Sequence, residues 1–558
     1  MKRKFLLFTL TLIIAVFVFS SCTQQQEGTT GTTGLAEIFS KATATATVEP
    51  AILWIDPAVP SELAGSLMAQ SAIQPSTEKD TSSLFFEVAA SKNAATVEIG
   101  SVSLVYAIEA PFPTVTDEIS LQQVHQFWRG DDMGDFPFDL LQASKETKAL
   151  FTQLWGEAAI GRVNEVGEET FSTNDFTQMR TWAIVPFEQI SPRWKVIKVD
   201  GISPLDKPMA VEDYGLTVHF TMSAKYASEN LLSAGSSLLA LLPASNRDES
   251  KMTVLIMTGT TAMVRATAYK METKGLDYPI EKVLPWFQNA DLIHVSNEIS
   301  FDPDCPFPDY NQMDLRFCSN PEYIKTLQDL GVDVVELTGN HMNDFGAENF
   351  VQTIATYESL GWTYYGGGIN ADEAKKPVKL EVNGNKIAFI GCNTEGPIQD
   401  WATDTMAGAA KCDMEYVTAQ IAQLKAEGYV VISTLQAHEV YTQYVYINYN
   451  AQDFLDPANA GADIVSGSQS HTPMSFRFVG NSLIHYGLGN FLFDNMTYEG
   501  LDADIQREFI DRHIIYNGEY LTTELLTARL ADWSQPNPMT AEDRADFLTE
   551  FFANGIWK

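Results

Sequence analysis

Along most of the chain, short apolar runs of strand type alternate with stretches in which apolar residues recur at helical spacing. This is the pattern of an α/β protein. It is clearest around 320–346. Asn320-Pro321 starts a helix, since Asn caps and Pro suits a first turn. Ile324, Leu327 and Leu330 follow on one face, and Gly331 closes the helix in a left-handed conformation. Residues 332–337 then form a short apolar strand, so Asn340 and His341 fall just past its carboxyl end. Open α/β sheets bind ligands there.

The same alternation predicts two regions. In 48–245, strands at 51–55, 102–107, 182–185 and 194–199 accompany a helix at 144–156. The polar stretch 244–251, ASNRDESK, reads as a linker. From 252 to 530 the strand–helix order repeats. Strands at 253–257 and 291–295, with a helix at 279–289, precede the 332–337 strand. Hairpin strands at 378–382 and 386–390 flank Asn383-Gly384. A helix at 414–427 leads to a strand at 429–434, and a helix at 452–461 to one at 463–465. At strand end after strand end a Glu, His or Asn falls at one edge of the sheet. That layout builds a polar site from loops. Residues 531–558 are expected to be a helical tail.

Composition narrows the partners. With 72 acidic and 36 basic residues, the formal net charge is −36. Such a surface repels nucleic acid, so no nucleic-acid partner is expected. Residues 1–22 read as an export signal: Lys2-Arg3-Lys4, the apolar run 5–19, then Ser20-Ser21-Cys22. Ser-Ser-Cys resembles a bacterial lipobox, which would lipidate Cys22, although Phe19 departs from the usual Leu. Residues 23–47 would be a flexible tether. An extracytoplasmic, lipid-anchored protein is the expectation. The other cysteines, Cys305, Cys318, Cys392 and Cys412, suit two disulfides in an oxidising compartment. Three pairings exist, and the local one, Cys305 with Cys318 and Cys392 with Cys412, would close two short loops.

Two phrases in the first region are Val105-Tyr106-Ala107-Ile108 continued to Phe127-Trp128-Arg129-Gly130, and Trp182 to Phe187 continued by Arg193-Trp194-Lys195-Val196. Together they resemble the phosphate-type periplasmic solute-binding fold. The resemblance implies a two-lobed α/β binding module and transfers no ligand residue. Trp182 and Trp194 taken singly read as core.

In the second region, Gly339-Asn340-His341-Met342-Asn343-Asp344-Phe345-Gly346 resembles a "NNHALDYG" motif. Tyr365 to Gly368 with Glu373-Ala374-Lys375-Lys376-Pro377 and Asn383-Gly384 resembles "VGAG…EARKP…NG". Residues 457–471 resemble "LIDAGADLVIGHHPH", and residues 486–494 resemble "YSLGNFVFD". In this order the motifs resemble the capsule-synthesis CapA family, the poly-γ-glutamate biosynthesis proteins, related to the calcineurin-like metallophosphoesterase fold. The resemblance implies an α/β sandwich working in synthesis of an anionic surface polymer. Its partners would be that polymer or its synthesis machinery, with the membrane reached through the lipid anchor.

The resemblance also implies metal-ligand positions. Those retained are Glu298, Asn340, His341, Glu439 and His471; Arg265 and Asn490 are candidates for substrate binding, and His341 and His471 for catalysis. The departures bear on chemistry. Thr260 stands where the family has an Asp, Ser296 where it has an Asn, and Leu435, Ser468 and Gln469 where it has His. His438 is an extra imidazole nearby. A two-metal centre needs several carboxylates and imidazoles, so a dinuclear site is not expected. A single weakly held divalent ion (Mn, Fe, Zn or Mg) and no metal at all are both open. So are a metal-dependent hydrolase of surface polymer and a non-catalytic polymer- or solute-binding lipoprotein. His294 and His485, inside apolar runs, read as packed histidines.

Overall fold

The strand Met252–Thr261 (β1) is buried along its whole length, and its side chains alternate between two apolar environments. Leu255 and Met257 face one way, toward Phe389, Ile432 and Ile464. Ile256 faces the other, toward Met271, Phe287 and Leu327. A strand covered on both faces belongs to a layered α/β core. The computed structural model, which describes residues 51–70, 73–172, 176–437, 451–494, 505–553 and 557, shows that core.

Two sheets stack face to face in the second region. In the first, β1 pairs in parallel with Leu292–Asn297 (β2), β2 with Val334–Glu336 (β3), and β3 with Thr363–Tyr365. On its other side β1 meets the antiparallel strand Arg507–Tyr516, which continues through Glu519–Ala531 to Gln535–Pro538. The second sheet runs from the hairpin Val378–Val382/Asn385–Asn393 to Val430–Gln436 (β4), Ile464–Ser468 (β5), Ser482–His485 and Phe476–Val479. One helix layer, with Leu327, Phe350 and Ile354, covers the first sheet. Another, with Val417, Ile421 and Leu424, covers the second. The order helix, sheet, sheet, helix is an α/β sandwich. Its parallel strands point their carboxyl ends to one edge.

Local chemistry explains most boundaries. Gly331 adopts φ 89° and ends the helix Ile324–Leu330, as its place after Leu330 predicts. Its first turn, Pro321–Tyr323, is a 3-10 turn capped by the Asn320 side chain. At the hairpin, Asn383 and Gly384 both have positive φ, 53° and 76°, the pair a two-residue turn requires. The helix expected over 279–289 is much shorter, Leu284–Phe287. Pro285 lacks the amide proton an interior helical residue donates, so the helix starts at its doorstep. The strand expected to end at 434 runs on to Gln436.

The first region holds a ten-stranded sheet among the described residues. Its long strand Val97–Pro111 pairs with Thr217–Ala224 through residues up to Val105. From Tyr106 on it pairs with Thr181–Pro186 and Trp194–Val199. One strand thus carries both sets of pairings. The helix Leu121–Arg129 starts at a reciprocal cap between Ser120 and Gln123. Trp182 and Trp194 are buried core residues.

Residues 50–558 form one compact unit. The 244–251 stretch is pinned rather than loose. Asn246 hydrogen-bonds both backbone groups of Val105, and Arg247, buried, donates to the carbonyls of Pro204 and Asp206. Disulfides join Cys305 to Cys318 and Cys392 to Cys412. Among the described residues no helix is long and apolar enough to cross a membrane. The expected signal, Cys22 and the tether lie outside the described residues.

Candidate functional site

The loops after β1, β2, β3 and β5 meet at one edge of the sandwich. Close backbone approach brings them together. A Cβ on Gly339 would stand 2.4 Å from the Glu298 Cα and 2.8 Å from its carbonyl oxygen. Only glycine therefore lets the loop after β3 lie against the loop after β2. The same approach produces a bridge between Ile299 and His341. The short strand Asn490–Leu492 (β6) pairs with the end of β1, Asn490 beside Thr260. Asn490 Oδ1 is 2.8 Å from His471 Nδ1.

Six of the predicted site residues are brought into one neighbourhood: Arg265, Glu298, Asn340, His341, His471 and Asn490. Phe317 packs edge-on to His341 at 4.8 Å, and Phe493 lies 5.1 Å from the His471 ring. Those two phenylalanines touch each other, and the Arg265 guanidinium lies over Phe317 at 4.6 Å. Arg265 is 2 % exposed and has φ 45°. Gln469, two residues before His471, has φ 76°. Non-glycine residues held in this region cost on the order of 1–3 kcal/mol and concentrate at functional sites. Glu439 and His438 lie outside the described residues. His294 and His485 are buried between the sheets and take no part in the edge.

The two imidazoles are tuned apart. Burial is the largest single influence on His341 and disfavours its charged form; the Asp344 carboxylate 2.8 Å from its Nδ1 opposes that. With the negative charges of Glu298 and Asp400 added, the His341 pKa is raised. His471 is pushed down to about 4, chiefly by burial, with His341 and Arg265 adding repulsion. One ring favours the proton and the other refuses it. Burial also lifts Asp400 to about 6, against the Asn343 amide it accepts. Asp494 rises to about 7 in the same way, although Arg265 and the amides of Ala266 and Thr267 favour its charged form.

Beneath the edge, hydroxyls and amides link the sheets. Glu336, at the end of β3, accepts a hydrogen bond from Thr338 and lies 3.2 Å from the Ser468 hydroxyl across the sandwich. Ser468 donates to Gln436 Oε1 at 2.6 Å, and Gln436 Nε2 contacts Gln469 Oε1 and lies 3.3 Å from Asn340 Oδ1. Asn393 Nδ2 donates to the Thr338 carbonyl at 2.8 Å.

These bonds decide how well the site fits a metal pair. Ser468 and Gln469, at two positions where the resemblance implies imidazoles, are bound into this network. Neutral hydroxyls and carboxamides are poor substitutes for imidazole and carboxylate donors. Thr260 offers only a hydroxyl, which finds no hydrogen-bond partner among the described residues. Nor does any cluster of three or more His, Cys, Asp or Glu placed to hold a metal ion occur among them. Among the described residues the donor set does not fit a dinuclear centre.

Asp344, Asp400, Glu336 and Gln436 were missed as participants by sequence reasoning. Asp344 stands inside the motif around His341. Glu336 is a lone acid in an apolar strand, which was its only signal. Gln436 and Asp400 carried none.

Fold and edge together define a layered α/β sandwich with a polar strand-end site in which His341, His471 and Glu298 stand beside amides and hydroxyls. Residues 254–495 match the family described as "Bacterial capsule synthesis protein PGA_cap". It is 27 % identical over 316 residues to the capsule biosynthesis protein CapA of Bacillus anthracis, covering 54 % of this chain and 73 % of the relative. It is 26 % identical over 254 residues to the PGA biosynthesis protein CapA of Bacillus subtilis (strain 168), covering 44 % and 64 %. Among solved structures it is similar to the calcineurin-like phosphoesterase YfkN from Bacillus subtilis. That match has 14 % identity and a TM-score of 0.30, covering 54 % of this chain and 97 % of that one.

Proposed function

We propose that the protein serves the synthesis of a capsule, poly-γ-glutamate or related anionic exopolymer, and that it acts there through His341, His471 and Arg265 rather than a metal pair. The family match over 254–495 carries the polymer assignment. The placement of His341 and His471 at one edge, joined through the touching rings of Phe317 and Phe493 with the Arg265 guanidinium over Phe317, carries the chemical one.

An anionic group entering this edge meets the buried guanidinium of Arg265 and a His341 ring biased toward its charged form. Charges in a buried site are weakly screened, so their attraction for such a group is larger than on the surface. His341, fixed by Asp344, is placed to give or take a proton. His471, held by Asn490 and neutral, offers a hydrogen-bonding ring that does not compete for that proton. Glu298 raises the proton affinity of His341 and thereby favours its charged form. Membrane anchoring through Cys22 and the involvement of synthesis machinery belong to the same proposal.

The test is made in cells. A strain lacking the gene is complemented with wild type, His341→Ala or His471→Ala, and surface polymer is quantified. Wild type restores display. Each variant, expressed at the same level, lowers it by about tenfold or more, the usual scale for loss of a positioned acid–base group. Display unchanged in both variants removes these residues from the function.

A further inference from the structure

Asn490, Phe493 and Asp494, from one short segment, all reach the strand-end site. Asn490 holds His471, and Phe493 lies 5.1 Å from the His471 ring and 6.1 Å from that of Phe317. Asp494 is fully buried, and its Oδ2 accepts from the backbone amides of Ala266 and Thr267. Those amides belong to the first turn of the helix Arg265–Lys274.

We propose that Asp494 is a positioning residue: from 228 positions beyond Ala266 it fixes the start of that helix and so holds Arg265 over Phe317, beside His341. The proposal rests on the reading that Arg265 serves the strand-end site.

Three observations support it. The first amides of a helix have no partner within the helix. A Ser, Asp or Asn in the preceding position usually accepts from the second or third of them. Here that position is Val264, whose side chain makes no cap bond. Ala266 and Thr267 carry the second and third amides, so Asp494 supplies the oxygen that the local sequence lacks. Secondly, Arg265 begins the helix with φ 45°, a left-handed value that persists in a non-glycine residue only when its surroundings impose it. Fixing the two amides next to it imposes it. Thirdly, the guanidinium lies over Phe317 at 4.6 Å and 5.9 Å from the Phe493 ring. Residues 493 and 494 thus grip Arg265 at both ends, a ring at the guanidinium and a carboxyl at the backbone. An arginine held this way has little side-chain freedom left to lose when it meets an anion.

Modification of arginines by phenylglyoxal, mapped by peptide mass spectrometry on the purified protein, tests the proposal. Arg265 is buried, so it reacts only when the helix start opens locally. Asp494→Ala should speed its modification by about fivefold, the factor that matches loss of a helix cap, while Arg477 reacts at the wild-type rate. Asp494→Asn keeps an oxygen for both amides and should stay within about twofold of wild type. Phe493→Leu leaves the cap and removes the ring, and should speed modification by about threefold. Arg265 no faster in Asp494→Ala than in wild type overturns the proposal. So does Asn as damaging as Ala, or an equal rise at Arg265 and Arg477, which is general loosening. Should Asp494→Ala fail to fold, Asp494→Asn and Phe493→Leu decide: a fast Asn variant with an unchanged Leu variant overturns it. The polymer-display assay separates this from the proposed function. Display intact in Arg265→Ala removes Arg265 from the function and leaves the modification pattern standing. Display lost in Arg265→Ala, with modification indifferent to Asp494, loses the positioning role alone.

Discussion

His294 shows how the environment of one side chain sets a pH dependence. It lies between the sheets, 1 % exposed, its ring parallel to Phe389 and its Nε2 2.8 Å from the Tyr365 hydroxyl. Burial, with some repulsion from His513, pushes its pKa down to about 3. An unfolded histidine takes a proton near 6.5. Between these values the unfolded chain binds the extra proton and the folded chain does not. This group's contribution to stability is therefore complete above about pH 6.5 and is lost as pH falls toward 3. Urea unfolding of wild type and His294→Gln across pH 4–7 checks it. The wild type should lose more stability on acidification than the variant; parallel curves would contradict the assignment. The packed role of His294 was legible in the sequence, because the residue sits inside an apolar run. Glu336 was not, because its neighbour Ser468 lies 132 residues away. Nothing local marks a contact that forms only when two sheets stack.

At the scale of elements, the site depends on how closely strand ends approach. The strand-end positions of Glu298, Asn340 and His341 were readable from apolar runs ending in polar residues. The role of Gly339 follows from the backbone it faces. Gly339→Ala places a methyl 2.4 Å from the Glu298 Cα, where backbone rather than a flexible side chain must yield. A loss of about 3 kcal/mol of unfolding free energy is expected, at the upper end for overpacking. Urea denaturation measures it, and a change below about 0.5 kcal/mol would show that the loops have room to part. Helix lengths were less legible. Periodicity suggested eleven positions over 279–289, but Pro285 outweighs the spacing of apolar residues, and the helix is Leu284–Phe287.

For the whole molecule, the layered α/β arrangement was legible because both faces of each central strand are apolar. How the two regions meet was not. Phe112 of the first packs edge-on against Phe476 and Phe478 of the second, at 5.5 and 5.2 Å. Arg193 donates to the Gly480 carbonyl at 2.8 Å, and Thr522 to that of Trp194 at 2.9 Å. These contacts join residues hundreds of positions apart, which no window of sequence reveals. The acidic composition and the match of 254–495 to a capsule-synthesis family model frame the same protein. Within that frame the strand-end edge carries His341 and His471 beside a hydroxyl and amide network through Ser468 and Gln469, an exchange for the imidazoles that the resemblance implies at those two positions. The direct measurement of that exchange is the metal content of the purified protein after incubation with Mn²⁺, Fe²⁺ or Zn²⁺ and desalting. The account predicts less than one equivalent retained per chain, and two tightly held equivalents would contradict it.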